Sequence, residues 1–268
     1  MSNRPVTAAL QRVVVIGPGE VGRRLMRALA TAGVPSTPIT RDLGWEAIAG
    51  SGAGPILVCV REEALPAVLD RLGGVDPDRL VLVQNGWIRP LLGGRESASR
   101  ALIWFTSKGE FFRELRPSLF GGTLAGPLVV ALHRGGLDVA AVGEEEFGAA
   151  EAEKMGFNCV VGLPLAVHGV SLAEYLEQQT DEAHALFAES TTICARAIGV
   201  EPAPGWWDEF RRAVAPIDWV RAASAKALEF RNGAVLRLAA DLGVEVPVTA
   251  RLLAAAGRLA TPGSSPGP

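Results

Sequence analysis

Near the start of the chain, Gly17-Pro18-Gly19-Glu20-Val21-Gly22 sets three glycines at the spacing G-x-G-x-x-G, directly after the apolar run Val13-Val14-Val15-Ile16. That spacing suits a main chain that must grip an anion with its own N–H groups. Gly17 permits a tight turn, Gly19 lets the backbone approach a diphosphate, and Gly22 lets a following helix pack closely on the strand. The amphipathic stretch 23–31 continues from it. A helix beginning here, with Glu20 and Val21 in its first turn, points unsatisfied amides and the positive end of its dipole at the anion. The implied chemistry is capture of a dinucleotide pyrophosphate; the alternative is a glycine-rich turn with no ligand.

About twenty residues on, at the end of the expected second strand, the chain reads Pro38-Ile39-Thr40-Arg41-Asp42. A carboxylate here would hold the ribose hydroxyls of NAD, whereas a guanidinium pairs with the 2′-phosphate of NADP. Arg41 fits NADP. Asp42 competes for the same position if the strand ends one residue later, and Arg41 could also be a solvated surface side chain.

The elements that must position these residues show in the hydrophobic pattern. Unbroken apolar runs at 13–16, 56–60, 80–83, 101–105, 128–132 and 139–142 predict strands of a sheet covered on both faces. The expected fold class is α/β: a Rossmann-type doubly wound, largely parallel sheet, followed by an all-helical C-terminal domain. Beyond residue 150 the spacing becomes helical, over 151–168, 181–198, 206–214, 217–242 and 247–259, with Asp181 as an N-cap and Gly199 and Gly243 at helix ends. Residues 144–146 read as a solvated acidic turn. The expected division is a dinucleotide-binding domain over 1–150, a helical substrate and dimerisation domain over 151–260, and a disordered Pro/Gly/Ser tail over 261–268.

Composition narrows the function classes. With 268 residues, 49% hydrophobic and 21% charged, the chain can bury a proper core, and a net charge of -3 offers no broad surface to nucleic acid. Cys59, Cys159 and Cys194 are far apart and lack metal-ligand spacing, so no metal is expected and a reducing cytoplasm is. Arg4 and Arg12 bracket a mixed N-terminal segment without a secretory signal, so the mature chain is expected to start near Met1. The uncharged stretch 155–170 is interrupted by Gly156, Gly162, Pro164 and Gly169, which favours a core helix over a membrane span.

Further motifs carry a family resemblance. Arg61 follows the third run, and Leu82-Val83-Gln84-Asn85-Gly86 ends the fourth; Lys154-Met155-Gly156-Phe157-Asn158 and Asn232-Gly233, with Gly243 to Pro247 beyond, lie downstream. In this order, over most of 13–250, the chain resembles the ketopantoate reductases, as a divergent member. The resemblance implies Lys154 as general acid toward a carbonyl oxygen and Asn158 as its partner in orienting substrate; four residues apart, they share one helix face. It implies a dinucleotide set of Gly17, Gly19, Glu20, Val21, Gly22, Arg41, Arg61 and Asn85. Without the resemblance, Lys154 is an ordinary helix lysine after Glu151 and Glu153, and Asn85-Gly86 a common turn pair.

The substrate half departs from that family. Gly162 replaces a helix-borne Asn, Ala227 the substrate-binding Glu, with Glu229 out of register, and Ala152 the Trp before the Lys. The carboxylate-gripping serines have no counterpart around 215–217, Ser224 being out of register, and the chain between Val142 and Lys154 lacks room for the family's helix and strand. Trp206, Trp207, Trp219, Phe157 and Phe210 are available for an apolar pocket or a plain core. His168 and His133 are alternative proton donors, but neither has a carboxylate close in sequence, which favours a structural or surface role. The resulting expectation is an NADP-dependent reductase of a small carbonyl or imine substrate other than ketopantoate, forming a homodimer. Against it stand a dinucleotide-binding sensor or assembly partner without catalysis, and an accessory subunit that holds cofactor for structural reasons.

Overall fold

The structure is a computed structural model describing residues 10–222 and 227–260, with the side chains of 258–260 outside the description. The expected tail at 261–268 and Ser224 lie outside the described residues. Two compact units divide between Phe147 and Gly148.

In the first unit the chain runs through β1 (Val13–Ile16), α1 (Glu20–Thr31), β2 (Ser36–Ile39), β3 (Ile56–Val58), α2 (Leu65–Arg71), β4 (Leu80–Leu82), β5 (Ser99–Leu102), β6 (Phe105–Lys108), β7 (Phe111–Glu114), β8 (Ser118–Gly121), α3 (Ala125–Arg134) and β9 (Val139–Ala141). Seven strands form one sheet in the order β2-β1-β3-β4-β5-β8-β9, parallel except where β8 pairs with β5, while β6 and β7 form a separate antiparallel ribbon. The continuous apolar runs are explained by alternation across the sheet. Val13, Val15, Leu57 and Val81 face Leu25 and Leu29 of α1 and Leu128 and Leu132 of α3. Val14, Ile16, Ile56, Val58, Leu80 and Leu82 face Leu65, Leu69 and Leu72 on the other side. Both pleat directions are buried, so neither is polar.

The chain passes from β1 to β2 on one side of the sheet and then crosses to β3 on the other. That reversal opens a crevice at the carboxyl ends of β1 and β3, where doubly wound sheets hold ligands.

The second unit continues α4 (Glu144–Val160), which begins four residues before the division, and adds α5 (Leu163–His168), α6 (Leu172–Gln178), α7 (Thr180–Ile198), α8 (Trp206–Val214), α9 (Asn232–Leu242) and α10 (Pro247–Ala260). Gly199 and Gly243 end α7 and α9 in the left-handed region, at φ 85° and 65°.

Several expected elements differ. Residues 128–132 are not a strand but the centre of α3: Ala125, Leu128, Ala131 and Leu132 are buried at helical spacing, while Val130 is exposed. The run 101–105 divides, because β5 ends at Leu102 and β6 starts at Phe105, with Trp104 N–H donating to Ser118 Oγ (2.9 Å) at the join. The helix expected over 151–168 breaks at Val161-Gly162. Residues 144–146 are exposed as expected but form the first turn of α4, where acidic side chains complement the helix dipole. Asp181 is not an N-cap; Gln179 holds that position and Asp181 lies in the first turn of α7.

No single helix covers 217–242. The carbonyls of Asp218 and Val220 accept from Ala173 N–H (2.8 Å) and Leu172 N–H (2.9 Å), closing the start of α6. That segment is recruited to another helix, a tertiary bond overriding local propensity. Ser171 and Glu174 complete α6 with a reciprocal capping box.

Candidate functional site

The glycine turn has the geometry its spacing requires. Gly17 adopts φ 82°, and its N–H donates to Ile39 O at 2.9 Å, tying the turn to the end of β2. A Cβ on Gly17 would lie 2.8 Å from Val60 Cγ1, and one on Gly22 would lie 2.6 Å from Gly17 O and 3.4 Å from Cys59 Cβ. Close helix–strand packing therefore demands both. A Cβ on Gly19 would meet no protein atom within 4 Å; the third glycine keeps clear a space that the protein itself does not fill. α1 starts after Gly19 with no side-chain cap, leaving its first-turn amides to an outside acceptor. Glu20 is turned aside: its carboxylate pairs with Arg23 at 2.8 Å, and Arg23 also donates to Pro18 O. Val21 packs against the core beneath.

Beside this turn is a cavity of about 810 Å³, lined by Gly17, Thr40, Arg41, Trp45, Arg61 and Arg71 among others. Ile16 at the end of β1 and Val60, two residues past β3, also line it. Arg41 lines it; Asp42 is exposed and does not. Sequence reasoning missed Trp45 and Arg71. The Trp45 indole N–H lies 3.0 Å from Thr40 O and 3.2 Å from Arg41 O, pinning the loop that carries Arg41. Arg71 stacks its guanidinium 3.8 Å from the Trp45 ring centroid and donates to Arg41 O at 3.2 Å. Nothing local signals Arg71, because 30 residues separate it from Arg41.

Two buried polar residues shape the neighbouring loops and were also missed. Gln84 Nε2 donates to Val58 O and Val60 O at 2.8 and 2.9 Å, while Glu62 accepts from Gly86 N–H at 2.9 Å. They brace the segment holding Arg61 against the turn holding Asn85, which is half-buried. Cys59, at the base of the turn, has its thiol pushed up to about 12 by burial.

In the second unit, Lys154 and Asn158 lie one turn apart on α4, both buried, with Lys154 Nζ 4.3 Å from the Phe157 ring centroid. Gly162 is not a further position on that helix: α4 ends at Val160, and Gly162 precedes α5. Ala227 holds φ 48°, which sets it apart from the 3-10 turn containing Glu229. Phe157, Phe187, Trp207 and Phe210 pack on one another with centroids 5.1–5.9 Å apart, as core, whereas Trp219 is exposed. His168 does have a carboxylate, brought by folding: its Nε2 is 2.8 Å from Glu182 Oε1, which also accepts from Tyr175, while Arg251 binds Oε2. This cluster joins α5, α6, α7 and α10. His133 is exposed in the last turn of α3. Among the described residues no group of His, Cys, Asp and Glu could hold a metal, and no helix is long and apolar enough to cross a membrane.

No family model matches the sequence, and no curated protein matches it either. Solved structures do. A ketopantoate reductase of the PanE/ApbA family from Ralstonia eutropha JMP134 superposes with TM-score 0.74 at 19% identity, covering 92% of this chain and 97% of that one. The chain has the ketopantoate reductase fold. A dimeric ketopantoate reductase from Staphylococcus aureus shares that fold at TM-score 0.70 and 16% identity, over 92% and 99% of the two chains. So does a D-mandelate dehydrogenase solved with NADH, at TM-score 0.72 and 13% identity, over 92% and 98%. The ketopantoate reductase fold thus accounts for both the sheet and the helical region, at identities that leave the side chains to be argued individually.

Proposed function

We propose that the chain is an NADP-dependent reductase of a small carbonyl or imine substrate other than ketopantoate. The observation that carries this is the cavity beside the glycine turn, with Arg41, Arg61 and Arg71 in its lining. A dinucleotide fits these residues: main-chain amides at Glu20, Val21 and Gly22 for the pyrophosphate, with Gly19 leaving room for its approach, and guanidinium groups for a 2′-phosphate. Arg41 lines the cavity and Asp42 does not, which favours NADP over NAD. Asn85 is assigned to the nicotinamide ribose.

A bound nicotinamide would supply hydride. In this reading Lys154 donates a proton to the oxygen, or nitrogen, that becomes basic as the double bond is reduced, and its charge stabilises that atom meanwhile. Asn158 orients the substrate through its amide. Residues 1–150 form the dinucleotide domain and 151–260 the substrate and dimerisation domain of a homodimer in a reducing cytoplasm. The solved dimeric ketopantoate reductase supports the homodimer.

Calorimetric titration tests the reading. NADPH should bind at least tenfold more tightly than NADH, and Arg41→Ala should narrow that gap about tenfold, as expected for loss of a charge-assisted hydrogen bond. Lack of heat with either coenzyme would remove the proposal. A second reading, a binding protein without turnover, is favoured by Gly162 and Ala227, which offer no polar side chain at two positions where the resemblance implies one. Tight NADPH binding without oxidation across 2-oxo acids, aldehydes and cyclic imines would select it.

A further inference from the structure

Just past the end of α4, Gly162 is approached by a side chain from a different element. A Cβ on Gly162 would lie 3.2 Å from the Asn158 carbonyl oxygen and 3.9 Å from Arg231 Nη1. Arg231 immediately precedes α9, so it reaches the end of α4 from a position 69 residues later in the chain. Its Nε is buried and, among the described residues, has no hydrogen-bond partner. Its field is felt one residue beyond Asn158, at Cys159, whose thiol burial pushes up to about 12 against opposing effects from Ser190 and Arg231. Asn232 Nδ2 donates to Cys159 O at 3.4 Å, fixing the start of α9 against α4. A half-buried guanidinium with an unmatched donor is costly unless an acceptor arrives from outside.

We infer that Arg231 is the anion-recognition residue of the second unit and binds a carboxylate carried by the substrate. The planar fork of an arginine matches the two oxygens of a carboxylate. One guanidinium balances a single negative charge, which favours a carboxylate over a dianionic phosphate. Lys154, Asn158 and Arg231 then provide a proton donor, an orienting amide and an anchor within one unit. The assignment of the first two rests on the reductase reading; the anion site itself does not.

The test follows the Arg231 Nε–H resonance by NMR, assigned by its loss in Arg231→Lys, during titration with 2-oxobutanoate, the uncharged ketone butanone and inorganic phosphate. These probes are small enough to enter a site made for something larger. 2-Oxobutanoate should shift the resonance saturably, and butanone should leave it in place. Arg231→Gln should weaken 2-oxobutanoate binding at least tenfold with NADPH affinity and circular dichroism unchanged, while Arg231→Lys retains binding within a few fold. Undiminished binding to Arg231→Gln, an equal response to butanone, a response to phosphate alone, or none to any probe would overturn the inference. If 2-oxobutanoate binds through Arg231 while NADPH does not bind at all, the reductase reading fails and the anion site stands.

Discussion

Arg41 lines the cavity beside the glycine turn and Trp45 holds its loop, so the two residues should fail in different ways. Removing the Arg41 guanidinium deletes one charge, whereas Trp45→Ala deletes the indole hydrogen bond shared between the Thr40 and Arg41 carbonyls and the surface on which Arg71 stacks. That hydrogen bond is worth about 1 kcal/mol and the cation–π contact about 0.5–1 kcal/mol. Trp45→Ala should therefore weaken NADPH by at least tenfold in a fluorescence or calorimetric titration, and thermal stability should fall with it, unlike in Arg41→Ala. The place of Arg41 in the cavity lining was legible because a strand end some twenty residues after a glycine turn is a defined place. Trp45 and Arg71 were not, because their meeting depends on how α2 is laid against the loop after β2. Ala227 gives a separate residue-scale expectation. A left-handed alanine costs about 1–2 kcal/mol, partly offset in Ala→Gly by the greater freedom of the unfolded chain. Ala227→Gly should raise stability by up to about 1 kcal/mol in chemical denaturation.

At the level of elements, the packing of α1 against β1 and β3 leaves no room for one added methyl group. Gly22→Ala would place a Cβ 2.6 Å from the main-chain oxygen of Gly17, in the turn proposed to receive the pyrophosphate. The helix must back away by a few tenths of an ångström or more; we expect a loss of about 1–3 kcal/mol in the denaturation midpoint and much weaker coenzyme binding. The contrast is Gly19→Ala, which meets no protein atom and should spare stability while obstructing the ligand. Element boundaries were legible where glycines or prolines punctuate the pattern, as at Gly17, Gly199, Gly243 and Pro247. They were misread at α3, where five apolar residues in a row fit a strand until Ala125 and the exposure of Val130 reveal helical spacing. The segment after Ile217 was misread for another reason: its carbonyls serve α6, and no local signal announces a hydrogen bond made to a helix forty-odd residues earlier.

On the scale of the whole molecule, the cluster around Glu182 ties four helices of the second unit. Burial alone would raise this carboxyl, but hydrogen bonds from His168, Arg251 and Tyr175 outweigh it and hold the group below its ordinary value of 4.5. The unfolded chain then binds more protons than the folded one in that window, so the contribution is complete above about 4.5 and lost as pH falls beneath it. Thermal melts of Glu182→Gln should show a lower Tm than the natural chain at neutral pH, with the gap closing in acid; a constant gap would assign the effect to packing instead. In the first unit, NADPH at about one hundred times its Kd should add about 2.7 kcal/mol of stability. The sequence by itself determined the fold class, the glycine turn and the dinucleotide chemistry it suits, because turn, strand and helix onset are local consequences of glycine placement and hydrophobic period. Only the tertiary structure decided which side chains share a site: Arg41 with Trp45 and Arg71, Gly162 with Arg231, His168 with Glu182. Each pairing joins residues from different elements, and a distance between elements is fixed by how cores pack, which no run of neighbouring residues encodes.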